Sequence, residues 1–197
     1  MIRFIPNILS IGRIVITPVF IWLYLLDDAL LSFIGILVFS IGAISDYYDG
    51  YIARKYQVIT ELGKFIDPLA DKVLTFAGFG ILPFLNPVLF PWWMVGLIIL
   101  RDVFTTVLRI VAKRKLWPFA TSNLAKWKTA VQLIFLYYIL LLGVAVKTDL
   151  SFLSWSEAVF NHYSNFWIFF AVTLFTVWSG LDYGIGIYRH LKQQITE

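Results

Sequence analysis

The chain has 197 residues, of which 60% are hydrophobic, 18% aromatic and only 14% charged, with a formal net charge of +4. Soluble domains average about 45–50% apolar and about 25% charged residues, so a water-soluble globule is excluded and the bilayer must act as part of the solvent. There is no cysteine, which excludes disulfides and thiol chemistry.

A membrane-spanning helix needs about 20 mainly apolar residues. The first candidate, about Asn7 to Leu26, is read as a span rather than a signal peptide. Its apolar run after Arg13 is too long for an h-region, and no small-residue cleavage site precedes Asp27. Pro18 predicts a kink in it. Five more spans are expected at about Leu30–Arg54, Gly63–Phe84, Pro91–Ala112, Leu124–Val146 and Asn165–His190. The turns "DDA" and "LNPVLF" and the longer link "KTDLSFLSWSE" fall on one side, and "KYQVITEL" and "KRKLWPFATSN" on the other.

The second side gathers Arg54, Lys55, Lys64, Lys113, Arg114, Lys115, Lys126, Lys128, Arg189 and Lys192, against Lys147 alone on the first. Cytoplasmic loops carry the excess of Lys and Arg, so this pattern places both termini in the cytoplasm. The expected architecture is a single all-α integral membrane domain over residues 1–197 with six transmembrane helices, in the cell (inner) membrane. Its basic residues follow topology, and no nucleic-acid partner is expected. Trp92, Trp93, Trp155 and Trp167 read as interfacial belt residues. Gly42 reads as a helix-packing residue, and His162 as a surface residue. Arg189 and His190 suit a helix C-terminus.

Charges recur in the cytoplasmic halves of these helices: Asp46 and Asp49, then Asp67, Asp71 and Lys72, then Arg101, Asp102 and Arg109, then Lys126 and Lys128. Each costs a few kcal/mol at membrane depth and normally faces a wet interior, so one polar cavity open to the cytoplasm is expected. Asp46 and Asp49 are three residues apart, and Asp67 and Asp71 four. Both spacings put a pair on one helix face, one turn apart. Two such pairs on adjacent antiparallel helices would repel strongly unless divalent cations lay between them. All-oxygen ligation suits Mg²⁺ or Mn²⁺. Two ions about 4 Å apart are a known arrangement for phosphoryl displacement. Gly50, Ala53 and Gly63 would leave room for a bulky group against the backbone, and Arg54 is placed to hold a phosphate. A transporter would instead show inverted repeats and carboxylates at the midplane, and neither is seen.

Asp46, Asp49, Gly50, Ala53, Arg54, Gly63, Asp67 and Asp71 together read D-x2-D-G-x2-A-R-x8-G-x3-D-x3-D. This resembles the signature of the CDP-alcohol phosphatidyltransferases, membrane enzymes that displace CMP from a CDP-linked lipid with an alcohol. The resemblance implies that Asp46, Asp49, Asp67 and Asp71 ligate two Mg²⁺ or Mn²⁺ ions. Asp71 would also be the base that deprotonates the acceptor hydroxyl. It implies a CDP site formed by Asp46, Asp49, Gly50, Ala53, Arg54 and Gly63, with CDP-diacylglycerol drawn from the membrane lipids. Homodimers are common in the family.

The stretches "IPNILSIGR", "RDVFTTVLR", "AKWKTAVQ" and "SGLDY" are similar to those of bacterial members of the family that use glycerol 3-phosphate. They depart at Ser10, Asp102 and Ala125. Arg101 and Arg109 lie about two turns apart on helix four, and Lys126 and Lys128 open helix five. Such cations would hold an acceptor with a phosphate monoester. The expected reaction transfers a phosphatidyl group from CDP-diacylglycerol to glycerol 3-phosphate. Phosphatidylglycerol, inositol phosphate and serine are the alternative acceptors.

Overall fold

Long apolar runs become helices because a helix satisfies its own backbone N–H and C=O groups where lipid offers none. The computed structural model follows that rule with α1 (Ile5–Leu25), α2 (Ala29–Tyr56), α3 (Glu61–Leu85), α4 (Trp92–Arg114), α5 (Asn123–Val146), α6 (Trp155–Phe160) and α7 (Ser164–Thr196). It describes the backbone of residues 5–56, 61–115, 123–148 and 154–196. Side chains are described within these ranges except at 5–8, 46–56, 61–71, 113–114, 123–126, 183 and 186–196.

Five of the six expected helices agree closely with α1 to α5, and the last runs on to Thr196 rather than ending near His190. Pro18 lies inside α1 without interrupting it. The added element is α6, a six-residue helix in the link after α5. It is too short to leave a period in the sequence.

Among the described residues, two helical stretches, Trp127–Val146 and Ser164–Asp182, are long and apolar enough to cross a membrane by length and composition. Shorter apolar stretches lie in α1 (Leu9–Leu25), α2 (Ala29–Ser45) and α3 (Lys72–Leu85). The exterior is strongly apolar: Leu100, Val103, Phe104 and Val107 on α4 and Leu174, Trp178 and Leu181 on α7 are all exposed. Contiguous surface of this kind is rare on soluble monomers and suits contact with lipid.

Contacts divide the chain into two compact units, one of residues 1–85 and 137–162, the other of residues 86–136 and 163–197. In the first unit, α1 packs against both α2 and α3. Phe20 and Phe39 meet at 5.0 Å between ring centroids, and Tyr137 adds an edge contact to Phe39 at 5.5 Å. Gly35 lets the backbones of α1 and α2 approach, since a Cβ there would lie 3.2 Å from the Tyr24 backbone nitrogen. The turn between them closes with Asp28, whose Oδ1 accepts from the Leu31 N–H at 2.7 Å and caps α2.

Lys147, just past α5, completes that turn. Its Nζ donates to the Tyr24 and Leu26 carbonyls at 2.8 and 2.7 Å and to Ser32 Oγ at 2.9 Å. The carbonyls at the end of α1 have no helical partner, so a cation there satisfies them and suits the helix dipole. Burial lowers the Lys147 pKa below its ordinary value, and the nearby Asp27 and Asp28 oppose that shift. Tyr24 locks the same corner: its hydroxyl donates to the Leu140 carbonyl at 2.8 Å. It occupies the space left by Gly143, where a Cβ would lie 2.5 Å from that oxygen.

In the second unit, α4 packs against α7. Phe135 and Phe169 stack at 5.3 Å, and Phe90 meets both edge-on. Asn86 shapes the entry to this unit, its Oδ1 accepting from the backbone N–H groups of Val88 and Leu89. Gln132, buried with Thr176, donates from its amide to Thr176 Oγ1 at 3.1 Å.

Candidate active site

The carboxylate pairs sit where their spacing put them. Asp46 and Asp49 are in α2, and Asp67 and Asp71 in α3. The side chains of Asp46, Asp49, Gly50, Ala53, Arg54, Gly63, Asp67 and Asp71 lie outside the described residues, but the helices carrying them are described. A Cβ on Gly42 would lie 2.8 Å from Leu74 Cδ2 and 3.8 Å from Ile16 Cγ2, so α1, α2 and α3 converge at this glycine. Gly42 therefore has the packing role its sequence context implied. Asp46 follows Gly42 by one helical turn, and Asp71 precedes Leu74 by about one turn. Helices joined by so short a link run antiparallel. Each pair therefore extends from the Gly42–Leu74 contact toward the α2–α3 link. As donors, four carboxylates offer the hard oxygens that Mg²⁺ or Mn²⁺ takes, so the donor set fits such ions. Among the described residues, no group of three or more His, Asp or Glu is placed to hold a metal.

The cations expected to bind the acceptor have three different environments. Lys128 is 2% exposed, and its Nζ donates to Asp102 Oδ1 at 2.7 Å and Oδ2 at 2.9 Å. Arg101 has 10% of its side chain exposed; Nη1 donates to Asp102 Oδ1 at 2.9 Å and to Thr105 Oγ1 at 3.3 Å. Asp102, 1% exposed, thus takes charge from both neighbours, and the three residues keep one net positive charge. Arg109 is exposed. The Lys126 side chain lies outside the described residues.

Spacing alone assigned Asp102 no partner, because Lys128 is 26 residues away. Arg13 was also missed. It is 2% exposed in α1, and its Nη2 approaches Ser10 Oγ at 3.4 Å. The available signal was a lone cation inside an apolar run, which marks a functional candidate by default. The polar residues of α7 left a weaker trace: Ser179 contacts Arg101 across 78 residues of sequence. His162 is exposed, as are Trp92, Trp93, Trp155 and Trp167.

Comparison with known proteins adds to this geometry. A family model described as CDP-alcohol phosphatidyltransferase matches residues 3–178. A protein of Salmonella typhimurium named CDP-diacylglycerol–glycerol-3-phosphate 3-phosphatidyltransferase is 28% identical over 184 residues, covering 91% of this chain and 92% of its own. An Escherichia coli K12 protein of the same name is 27% identical over the same length and coverage.

Proposed function

The chain belongs to the CDP-alcohol phosphatidyltransferase family, and from that premise we propose that it transfers the phosphatidyl group of CDP-diacylglycerol to glycerol 3-phosphate, giving phosphatidylglycerophosphate and CMP. The observation that carries this reading is that α2 and α3, whose sequences hold the two carboxylate pairs, meet at the Gly42–Leu74 contact. The relatives named for glycerol 3-phosphate support the acceptor.

Asp46, Asp49, Asp67 and Asp71 would hold two divalent ions, Mg²⁺ or Mn²⁺. When bound, these neutralise the diphosphate and stabilise the departing CMP. Gly50, Ala53 and Gly63 leave room for the cytidine, and Arg54 grips the nucleotide's phosphates through its planar fork. Asp71 takes the proton of the acceptor hydroxyl as the new oxygen–phosphorus bond forms. A carboxylate is too weak a base to remove that proton beforehand. The bond from the same phosphorus to CMP breaks, and CMP leaves with the electron pair.

Arg101, Arg109, Lys126 and Lys128 supply the positive field for the acceptor's phosphate. The gathering of Arg101 and Lys128 about Asp102 supports that role. The apolar helix faces take the diacyl chains from the bilayer. In this reading residues 1–197 form one family domain with six membrane spans, both termini and the metal cavity facing the cytoplasm, as the distribution of Lys and Arg requires.

The test is direct. Purified protein with CDP-diacylglycerol and Mg²⁺ receives one labelled acceptor at a time. Phosphatidylglycerophosphate should form from glycerol 3-phosphate, and a chelator should abolish it. Product from inositol phosphate, serine or phosphatidylglycerol, with none from glycerol 3-phosphate, overturns the acceptor assignment.

A further inference from the structure

Arg101 reaches from α4 to α7, and what it meets there is a seat of two residues. Nη2 donates to Ser179 Oγ at 2.7 Å. The Ser179 hydroxyl donates its single hydrogen to the Thr176 carbonyl at 2.8 Å, which leaves its lone pairs as acceptors for the guanidinium. The adjoining Gly180 supplies the space. A Cβ there would lie 2.7 Å from Arg101 Cγ, 3.0 Å from Nε and 3.4 Å from Cδ. All three contacts fall on one side chain, so the arginine stem lies flat against the α7 backbone at a position without a Cβ.

That geometry has a cost that a structural arginine would avoid. Nε is buried and has no hydrogen-bond partner, an arrangement that costs free energy. Both Nη1 hydrogens are engaged, by Asp102 and Thr105. Nη2 uses one for Ser179, and its second has no partner among the described residues. The fork is therefore held at three points, and one Nη2 N–H has no partner among the described residues.

We propose that Ser179 and Gly180 are positioning residues for the acceptor, forming a seat that aims Arg101 so that its remaining Nη2 N–H and its charge meet the phosphate monoester. This rests on the assignment of Arg101 to the acceptor site. Neither residue touches the acceptor itself. Both act through the guanidinium, whose fixed fork suits phosphate oxygens better than a mobile one.

The experiment uses the full chain in mixed micelles and compares Gly180→Ala, Ser179→Ala, Ser179→Thr, Arg101→Ala and the double variant Gly180→Ala/Arg101→Ala. KM is measured separately for glycerol 3-phosphate and CDP-diacylglycerol, together with the unfolding temperature. Gly180→Ala should raise KM for glycerol 3-phosphate roughly tenfold, with KM for CDP-diacylglycerol within about twofold of the parent, and should add nothing in the Arg101→Ala background. Ser179→Ala, which removes one oxygen and adds no bulk, should give the same signature if Gly180→Ala fails to fold. Ser179→Thr, which keeps the hydroxyl, should restore most of the loss. Equal rises in both KM values, or a full Gly180→Ala effect without Arg101, overturn the seat. If Arg101→Ala leaves the KM for glycerol 3-phosphate unchanged, the acceptor assignment falls instead. The seat is then decided by unfolding temperature alone: a Gly180→Ala loss that disappears without Arg101 retains it, and an undiminished loss removes it.

Discussion

Two cation sites invite comparison: half-buried Lys147 in the first unit and the Arg101–Asp102–Lys128 cluster in the second. Lys147 ends on neutral acceptors, two main-chain carbonyls and one hydroxyl, at the turn between α1 and α2. Its nearby carboxylates, Asp27 and Asp28, act through the field. The second site places a carboxylate between two cations and still keeps a positive charge and an unpartnered Nε. The first is arranged as a staple. The second gathers two cations about one buried carboxylate. Environment, more than the presence of a buried cation, separates structural from functional charge.

The largest effect is expected outside both sites and sets the scale for them. Asp71→Asn should lower turnover by about 10²–10⁴-fold, the range for loss of a general base, with the unfolding temperature nearly unchanged. Near-parental turnover would remove Asp71 from the chemistry. Asp102→Ala should be the most damaging change to the fold. It removes the carboxylate that Lys128 and Arg101 share, an effect of about 3–5 kcal/mol on stability, read as a large fall in unfolding temperature. A mild fall would mean that water reaches the cluster freely, and the contrast with Lys147 would weaken.

Lys147→Met should cost about 1–3 kcal/mol through the acceptors it leaves unsatisfied, while both KM values stay at the parental level. A selective rise in the KM for glycerol 3-phosphate would contradict its role as a staple. Arg109→Ala should raise the KM for glycerol 3-phosphate more than that for CDP-diacylglycerol, by a few-fold, because an exposed cation acts through a screened field. The opposite order would assign Arg109 to the nucleotide.

The smallest effect is a pH dependence. Because burial lowers the folded pKa of Lys147 from its ordinary 10.5, the folded chain loses this proton before the unfolded chain does. Stability of the parent relative to Lys147→Met should therefore rise as pH increases through that window toward 10.5. A difference independent of pH would rule out burial as the dominant influence on this lysine.

Local regularities made much of the molecule legible in advance. Helices α1 to α5 follow from apolar runs, since in lipid a backbone has almost no alternative to a helix. The two carboxylate pairs follow from spacings of three and four residues, because one turn of helix is a local quantity. Gly42 could be assigned to packing for the same reason. The short α6 could not be seen, since six residues do not establish a period.

The amino-acid order by itself thus determined the helices, the acid pairs and the signature that carries family membership. Tertiary structure decided which charged groups meet one another and which polar partners they find. Lys128 meets Asp102 across 26 residues, Arg101 meets Ser179 across 78, and Lys147 meets Tyr24 across 123. No periodicity links positions so far apart in sequence. Their pairing depends on which helix faces pack together, and that is settled only when α1 lies on α2 and α3 in one unit and α4 lies on α7 in the other.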